Sequence, residues 1–253
     1  MNVAGNTVLI TGGASGIGFA FAERFIKAGS KVIICGRREE KLREAKEKYP
    51  DIITRVADVS SEADRLDLFD WITENHPEVN VLVNNAGIQQ RYNILTADAK
   101  DNWSYFNQEI TANIEAPMHL AMLFVPHFAQ KDKAAIINVT SGLGFTPMAI
   151  APIYSATKAA MHSFTVSIRH QLSETAVDVI EVAPPAVNTD LGGVGLHTFG
   201  TPVDEFADAI FEQIEAGSSE MGYARSEKAR KMTREEIDQA VAGMYENMKD
   251  SIK

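Results

Sequence analysis

Thr7-Val8-Leu9-Ile10-Thr11-Gly12-Gly13-Ala14-Ser15-Gly16-Ile17-Gly18 is the stretch on which the fold turns. Three consecutive aliphatic residues, Val8, Leu9 and Ile10, give a short strand that needs cover on both faces, the habit of a parallel sheet under helices. The glycines follow at once, and the segment after them has helical periodicity, so they occupy a strand-to-helix turn. There a missing Cβ lets the backbone approach a pyrophosphate closely, while the helix start offers unpaired N–H groups and a partial positive charge. A tight turn closing the first βα unit is the plain alternative, but strand, glycines and helix stand in the order a dinucleotide site requires. Gly12, Ser15, Gly16, Ile17 and Gly18 are therefore candidate cofactor contacts.

The same alternation continues outward. Apolar β-branched runs predict strands at 31–36, 52–57, 81–84, 135–141 and 177–183, separated by helical patterns at 16–28, 39–49, 63–75, 102–129 and 153–172. With a weaker strand near 221–224, this predicts an α/β fold: a Rossmann-type doubly wound parallel sheet of about seven strands with helices on both faces. No linker, repeat or low-complexity tract divides the 253 residues, so one domain is expected. Within it, a Gly-rich substrate loop is expected at about 188–202, a helix at about 203–216 and a C-terminal helical segment at about 234–250. In that last segment Ile237, Val241, Met244 and Met248 form an apolar stripe, read first as a helix folded back on its own domain and second as a subunit contact or active-site cover.

A formal net charge of -10 argues against nucleic acid as a partner, because phosphate binding rests on clustered Lys and Arg. No apolar run approaches the roughly 20 residues of a membrane span, and the N-terminus runs straight into the first strand without a signal-like segment. The single cysteine, Cys35, leaves no internal disulfide and no thiol cluster for zinc; the expected compartment is the cytoplasm. The six histidines lie scattered, so no metal site is expected, and His162 and His170 receive no catalytic role.

NAD-binding units carry an acidic residue at the end of the second strand, where it meets the ribose 2′-hydroxyl. Here that position reads Gly36-Arg37-Arg38, and two guanidinium groups suit a 2′-phosphate. A solvated helix start, with Glu39 and Glu40 pairing the arginines, is the alternative. NADP(H) is favoured over NAD(H) as cofactor.

After the fifth strand comes Thr140-Ser141-Gly142, and thirteen positions past that serine lies Tyr154-Ser155-Ala156-Thr157-Lys158 in a predicted helix. Tyr154 and Lys158 stand at i and i+4, on one helix face. A free phenol titrates near pH ~10, and a close ammonium would lower that value. Tyr154 is then a general acid/base, Lys158 its electrostatic partner and a ligand of the nicotinamide ribose, and Ser141 the group that holds the substrate oxygen. Singly, each residue has an ordinary reading as core phenol, solvated lysine or turn serine; together they point to hydride chemistry.

The whole arrangement resembles the short-chain dehydrogenase/reductase family, from about residue 6 to 190. The matching features are the 11–18 turn, Asp58-Val59 after the third strand, Asn84-Asn85-Ala86-Gly87 after the fourth, Asn113, Ser141, Tyr154 and Lys158. Within the family, 138–143, 168–172 and 179–185 are most similar to the branch associated with the D-alanyl-lipoteichoic acid operon. The resemblance implies that Asp58 and Val59 flank the adenine, that Asn85, Ala86 and Gly87 pack against the cofactor, and that Asn113 holds a water linking Lys158 to solvent. It implies also that Val187 and Thr189 orient the nicotinamide carboxamide. Pro184-Pro185 stands where the family usually has Pro-Gly, which stiffens a segment that the resemblance sets against the nicotinamide. A homodimer or homotetramer is implied.

The expected activity is interconversion of a small or medium carbonyl/alcohol pair. Leu143, Phe145, Met148, Ile150, Leu191 and Phe199, with Gln89 and Gln90, are expected to line an apolar pocket. An NADP-dependent epimerase, and a cofactor-binding regulator or scaffold without turnover, are the alternative readings.

Overall fold

The computed structural model describes residues 1–252. Seven strands, β1 (Thr7–Thr11), β2 (Lys31–Gly36), β3 (Ile53–Val56), β4 (Val81–Asn84), β5 (Ala134–Val139), β6 (Val177–Ala183) and β7 (Glu220–Gly222), form one sheet in the order β3-β2-β1-β4-β5-β6-β7. Every pairing is parallel. Strand order reverses between β1 and β4, and in such sheets the crevice beyond the carboxyl ends at the reversal is where ligands bind.

Alternation along each strand assigns side chains to two layers. Val8, Ile10, Val32, Ile34, Val81 and Val83 face one side, packed beneath α1 (Gly16–Lys27), α2 (Glu39–Lys48) and α7 (Val203–Glu215) through Phe21, Phe25, Leu42, Phe206 and Phe211. Leu9, Ile33 and Leu82 face the other, beneath α3 (Glu62–Asn75) and α5 (Ala116–Phe128) through Leu68, Ile72, Leu120 and Phe124. Because strands are apolar on both faces, neither layer can be solvated, which is why consecutive aliphatic residues were needed in β1.

The amino ends of the central strands are stitched by side chains. Asn80 Oδ1 accepts from Thr7 N–H at 2.9 Å and Asn80 Nδ2 donates to Asn6 Oδ1 at 3.0 Å, while Ser30 Oγ donates to the Val3 carbonyl at 2.7 Å. Remaining helices are α4 (Trp103–Ile110), α6 (Pro152–Gln171), α8 (Arg225–Ala229) and α9 (Arg234–Met248).

Most boundaries agree with the sequence expectation to within a residue or two. The expected single helix at 102–129 differs: α4 and α5 are joined by a π turn, Thr111–Glu115, in which the chain winds one residue wider before resuming the α-helix. The weak last strand lies at Glu220–Gly222 rather than 221–224.

Candidate active site

The turn after β1 is clamped from β4. Thr11 Oγ1 accepts from the backbone N–H groups of Asn85 and Ala86, each at 3.1 Å, and Asn85 Nδ2 donates to the Thr11 carbonyl at 3.0 Å. Gly12 has φ +63, and a Cβ there would lie 3.0 Å from Ala86 Cα; a Cβ on Gly18 would collide with the Asn85 side chain and the Gly12 carbonyl. Side chains at either position would fill the cradle or displace its clamp.

Ser15 is extended and gives α1 no side-chain cap, and the first turn of α1 contains no acidic residue, so its leading N–H groups stay free for an anion. The Ser15 hydroxyl instead accepts from Arg38 Nη2 at 2.9 Å, which brings a guanidinium to the helix start. Arg37 reaches Asp58, with Nη1 3.8 Å from Oδ2, and both arginines are exposed at the end of β2. Val59 packs against the second core layer while its carbonyl accepts from Arg65. From beyond β6, Thr189 closes on the turn: a Cβ on Gly16 would lie 3.3 Å from Thr189 Cγ2. Val187 bridges to Thr201, and the Pro184 carbonyl accepts from Gly142 N–H at 2.9 Å. A free helix start, a cradle closed to any Cβ and two guanidinium groups fit a phosphorylated dinucleotide.

Ser141 leaves β5 in extended conformation, and its Oγ accepts from Leu143 N–H at 3.1 Å. Tyr154 and Lys158 both rise from α6 into the protein, each only 5% exposed. Lys158 Nζ donates to the Val139 carbonyl at 3.0 Å and lies 5.6 Å from the centre of the Tyr154 ring. A Cβ on Gly87 would stand 3.0 Å from Asn113 Oδ1 and 3.7 Å from Lys158 Nζ, so Gly87, Asn113 and Lys158 meet at one point. The Asn113 carboxamide is fully occupied: it accepts from Ile88 N–H at 2.9 Å and donates to the Ile88 carbonyl and to Thr157 Oγ1. The π turn carries Asn113 into this corner.

Burial pushes the Tyr154 phenol up to about 12, with the charge of Glu109 adding to the rise and the Ser141 hydroxyl pulling the other way. Burial pushes the Lys158 ammonium down to about 8, opposed by the Glu109 carboxylate. The expected lowering of Tyr154 by Lys158 is thus not what these groups produce; desolvation of the phenol sets the direction, and Ser141 is the group that pulls it down.

Around Tyr154 the apolar residues Met148, Ile150 and Ala151 cluster with Leu143, Leu191, Met248 and Ile252. Two expected pocket residues lie elsewhere: Phe145 packs on His162, ring centres 4.5 Å apart, and Phe199 is 73% exposed. Met248 and Ile252 had no place in the expected pocket; Met248 stood only in the apolar stripe of the C-terminal helix, and Ile252, beyond it, was not singled out. Glu109 was also passed over, although it stands four residues before Asn113 on a helix. The histidines are less isolated than the sequence implied: His162, Glu181 and Glu220 converge, with His162 Nδ1 2.8 Å from Glu181 Oε2. Their carboxylates are already engaged, Glu181 by Thr140 and Glu220 by Arg169 and Arg230.

Residues 6–194 match the model of the short chain dehydrogenase family. The chain is 43% identical to the uncharacterised oxidoreductase DltE of Bacillus subtilis, over 94% of this chain and 96% of that protein. It is 30% identical to the human very-long-chain 3-oxoacyl-CoA reductase over 87% of this chain and 72% of that one. Among solved structures, a short-chain dehydrogenase from Sphingobium yanoikuyae in complex with NADPH superposes with a TM-score of 0.77 at 26% identity, covering 98% of this chain and 96% of its own. The closed form of a serine dehydrogenase complexed with NADP+ gives 0.76 at 26% identity, covering 86% and 94%. With glycine cradle, sheet order and sequence all in agreement, the chain belongs to the short-chain dehydrogenase/reductase family, a family of oxidoreductases, near the branch that contains DltE.

Proposed function

We propose that the protein is an NADP(H)-dependent oxidoreductase that interconverts a carbonyl and an alcohol, with Tyr154 as general acid/base. The observation that carries this reading is the meeting of Gly87, Asn113 and Lys158 beside Tyr154, at the same sheet rim as the phosphate cradle. Bound in that cradle, NADP(H) would supply or accept the hydride. The protein's own groups manage the proton and the substrate oxygen. The Ser141 hydroxyl, held by Leu143 N–H, is set to hydrogen-bond the carbonyl oxygen beside the Tyr154 hydroxyl. In reduction Tyr154 gives its proton to that oxygen; in oxidation it takes one, and the positive charge of Lys158 stabilises the phenolate left or required. The apolar cluster of Leu143, Met148, Ile150, Leu191 and Met248 excludes water and favours a substrate with an apolar body.

Gly12, Ser15, Gly16, Ile17 and Gly18 would hold the pyrophosphate, Arg37 and Arg38 the 2′-phosphate, Asp58 and Val59 the adenine, and Asn85, Ala86, Gly87, Pro184, Val187 and Thr189 the nicotinamide half. The relatives solved with NADPH and NADP+ support the choice of cofactor. Half-exposed Trp103 and Tyr105 on α4 and 70%-exposed Met122 on α5 support self-association through these helices. A buried lone thiol, Cys35, pushed up to about 12 by burial, accords with a reducing cytoplasm.

The test is a panel of ketones, aldehydes and alcohols followed by nicotinamide absorbance, with Tyr154→Phe alongside. Wild type is expected to turn over members of the panel, and Tyr154→Phe to lose at least ~100-fold in kcat while still binding NADPH by fluorescence. Cofactor binding by wild type without turnover on any compound would favour the scaffold reading instead.

A further inference from the structure

Glu109 is fully buried on α4. Its Oε1 accepts from the backbone N–H of Gln90 at 3.0 Å, while Oε2 is sealed from solvent with no hydrogen-bond partner among the described residues. A buried carboxylate oxygen left so costs the full desolvation of its charge unless a proton or a cation compensates it. One turn further on, Asn113 grips Ile88 through both its N–H and its carbonyl, so Glu109 and Asn113 pin alternate residues of the segment leaving β4. That segment carries Gly87, which abuts Lys158. The titratable groups that feel Glu109 are Lys158 and Tyr154 on α6 and Tyr92 on the segment beyond β4. Lys158 is the one cation among them, and among the described residues its ammonium donates to the Val139 carbonyl.

We infer that Glu109 is a positioning residue for the reaction proposed above: its carboxylate, buried with one oxygen unpartnered, is the counter-charge to the Lys158 ammonium, while its second role is to hold Gln90 and so the wall of the cofactor cleft. The inference rests on that reading of Lys158, but its physical core, a charge coupling between two buried groups, is separable from turnover. The direction of each perturbation agrees with it. Burial lifts Glu109 to about 7, and the positive charge of Lys158 draws it back; Lys158 falls to about 8, and Glu109 opposes the fall. Removing the negative charge therefore lowers the titration of both Lys158 and Tyr154, and both changes act on a reduction in the same sense, since it needs the ammonium and the protonated phenol.

The experiment compares wild type with Glu109→Gln, which keeps an acceptor for Gln90 N–H and loses only the charge. The Lys158 side-chain resonance is followed against pH by NMR in protein carrying isotope-labelled lysine, assigned by its loss in Lys158→Arg. The midpoint is expected to fall by about one pH unit in Glu109→Gln, and the alkaline limb of kcat/KM for NADPH-dependent reduction to move down with it. An unchanged Lys158 midpoint overturns the inference, whatever happens to activity. A shifted midpoint in a protein that reduces no carbonyl upholds the coupling and rejects the proposed function instead. Should Glu109→Gln not fold, wild type alone decides: the Lys158 resonance must inflect where the Glu109 carboxyl titrates, and a featureless Lys158 curve through that pH range overturns the coupling.

Discussion

Arg38 touches Ser15 and Arg37 touches Asp58, and these two contacts separate the duties of neighbouring residues. Arg38 bridges the end of β2 to the start of α1, which favours the proposed place of its guanidinium at the phosphates; Arg37, exposed, is tied to the carboxylate expected at the adenine. The doubly substituted Arg37→Glu, Arg38→Glu protein should therefore lose preference for NADPH over NADH by at least ~100-fold in kcat/KM, since two charge-assisted contacts become repulsions. Equal preference in variant and wild type, read from paired kinetics with the two cofactors, would return the arginines to the role of a solvated helix start. At this scale the sequence was legible wherever a residue's type carries its own chemistry. Glycines at a strand end, a tyrosine and lysine one turn apart and a guanidinium pair at the end of β2 could each be singled out by composition and position, and the structure sets them along the carboxyl ends of the strands; their roles belong to the proposal. Glu109 could not, because a glutamate on a polar helix reads as surface, and only the packing of α4 against the segment after β4 makes it buried.

Elements were legible where periodicity is strong. Consecutive aliphatics in β1, β2 and β4 required cover on two faces, and both layers are present. The π turn at Thr111–Glu115 was not, since insertion of one residue into a helix leaves the hydrophobic pattern nearly intact while rotating everything beyond it. Contact between α9 and the Tyr154 cluster is tertiary; the apolar stripe ending in Met248 allowed an active-site cover as its second reading but could not choose it over a helix folded back on its own domain. None of the residues of α9 is fully buried, yet Met248 and, just past it, Ile252 pack on the cluster around Met148 and Ile150. The capping box between Thr233 and Glu236 starts this helix on its own terms, so it does not depend on core packing to form. Met248→Ala with Ile252→Ala is expected to raise KM for an apolar ketone by about tenfold, the worth of one half-buried side chain, while kcat and the melting temperature change little. A drop in kcat at constant KM would mean that α9 serves the chemical step rather than the pocket.

For the molecule as a whole, a buried acid beside a buried base makes stability depend on pH in a definite sense. The Glu109 pKa in the folded protein, about 7, lies above the usual carboxylate value of ~4.3, so the fold prefers the neutral form. Its contribution is fully present below about pH 4.3 and is lost as pH rises through about 7. Glu109→Gln, which cannot ionise, should gain on wild type across that window by on the order of 2–3 kcal/mol, most clearly above about pH 8, where Lys158 has also lost its proton. Urea unfolding of both proteins at about pH 4.5 and about pH 8 measures it, and a difference that stays constant between the two conditions contradicts the assignment of a raised pKa.

The stitching among Asn6, Ser30, Asn80 and Thr7 ties the sheet together at the amino ends of its central strands, the end opposite the cleft, through side chains bonded to one another and to the backbone. The foundation is thus independent of the loops at the mouth. If 188–202 is the substrate loop, its exchange for a segment of other length and polarity is expected to change which carbonyl compound is accepted while Tyr154 and Lys158 keep their alignment, and a dye or affinity handle attached beside Gly29 is expected to leave turnover unchanged.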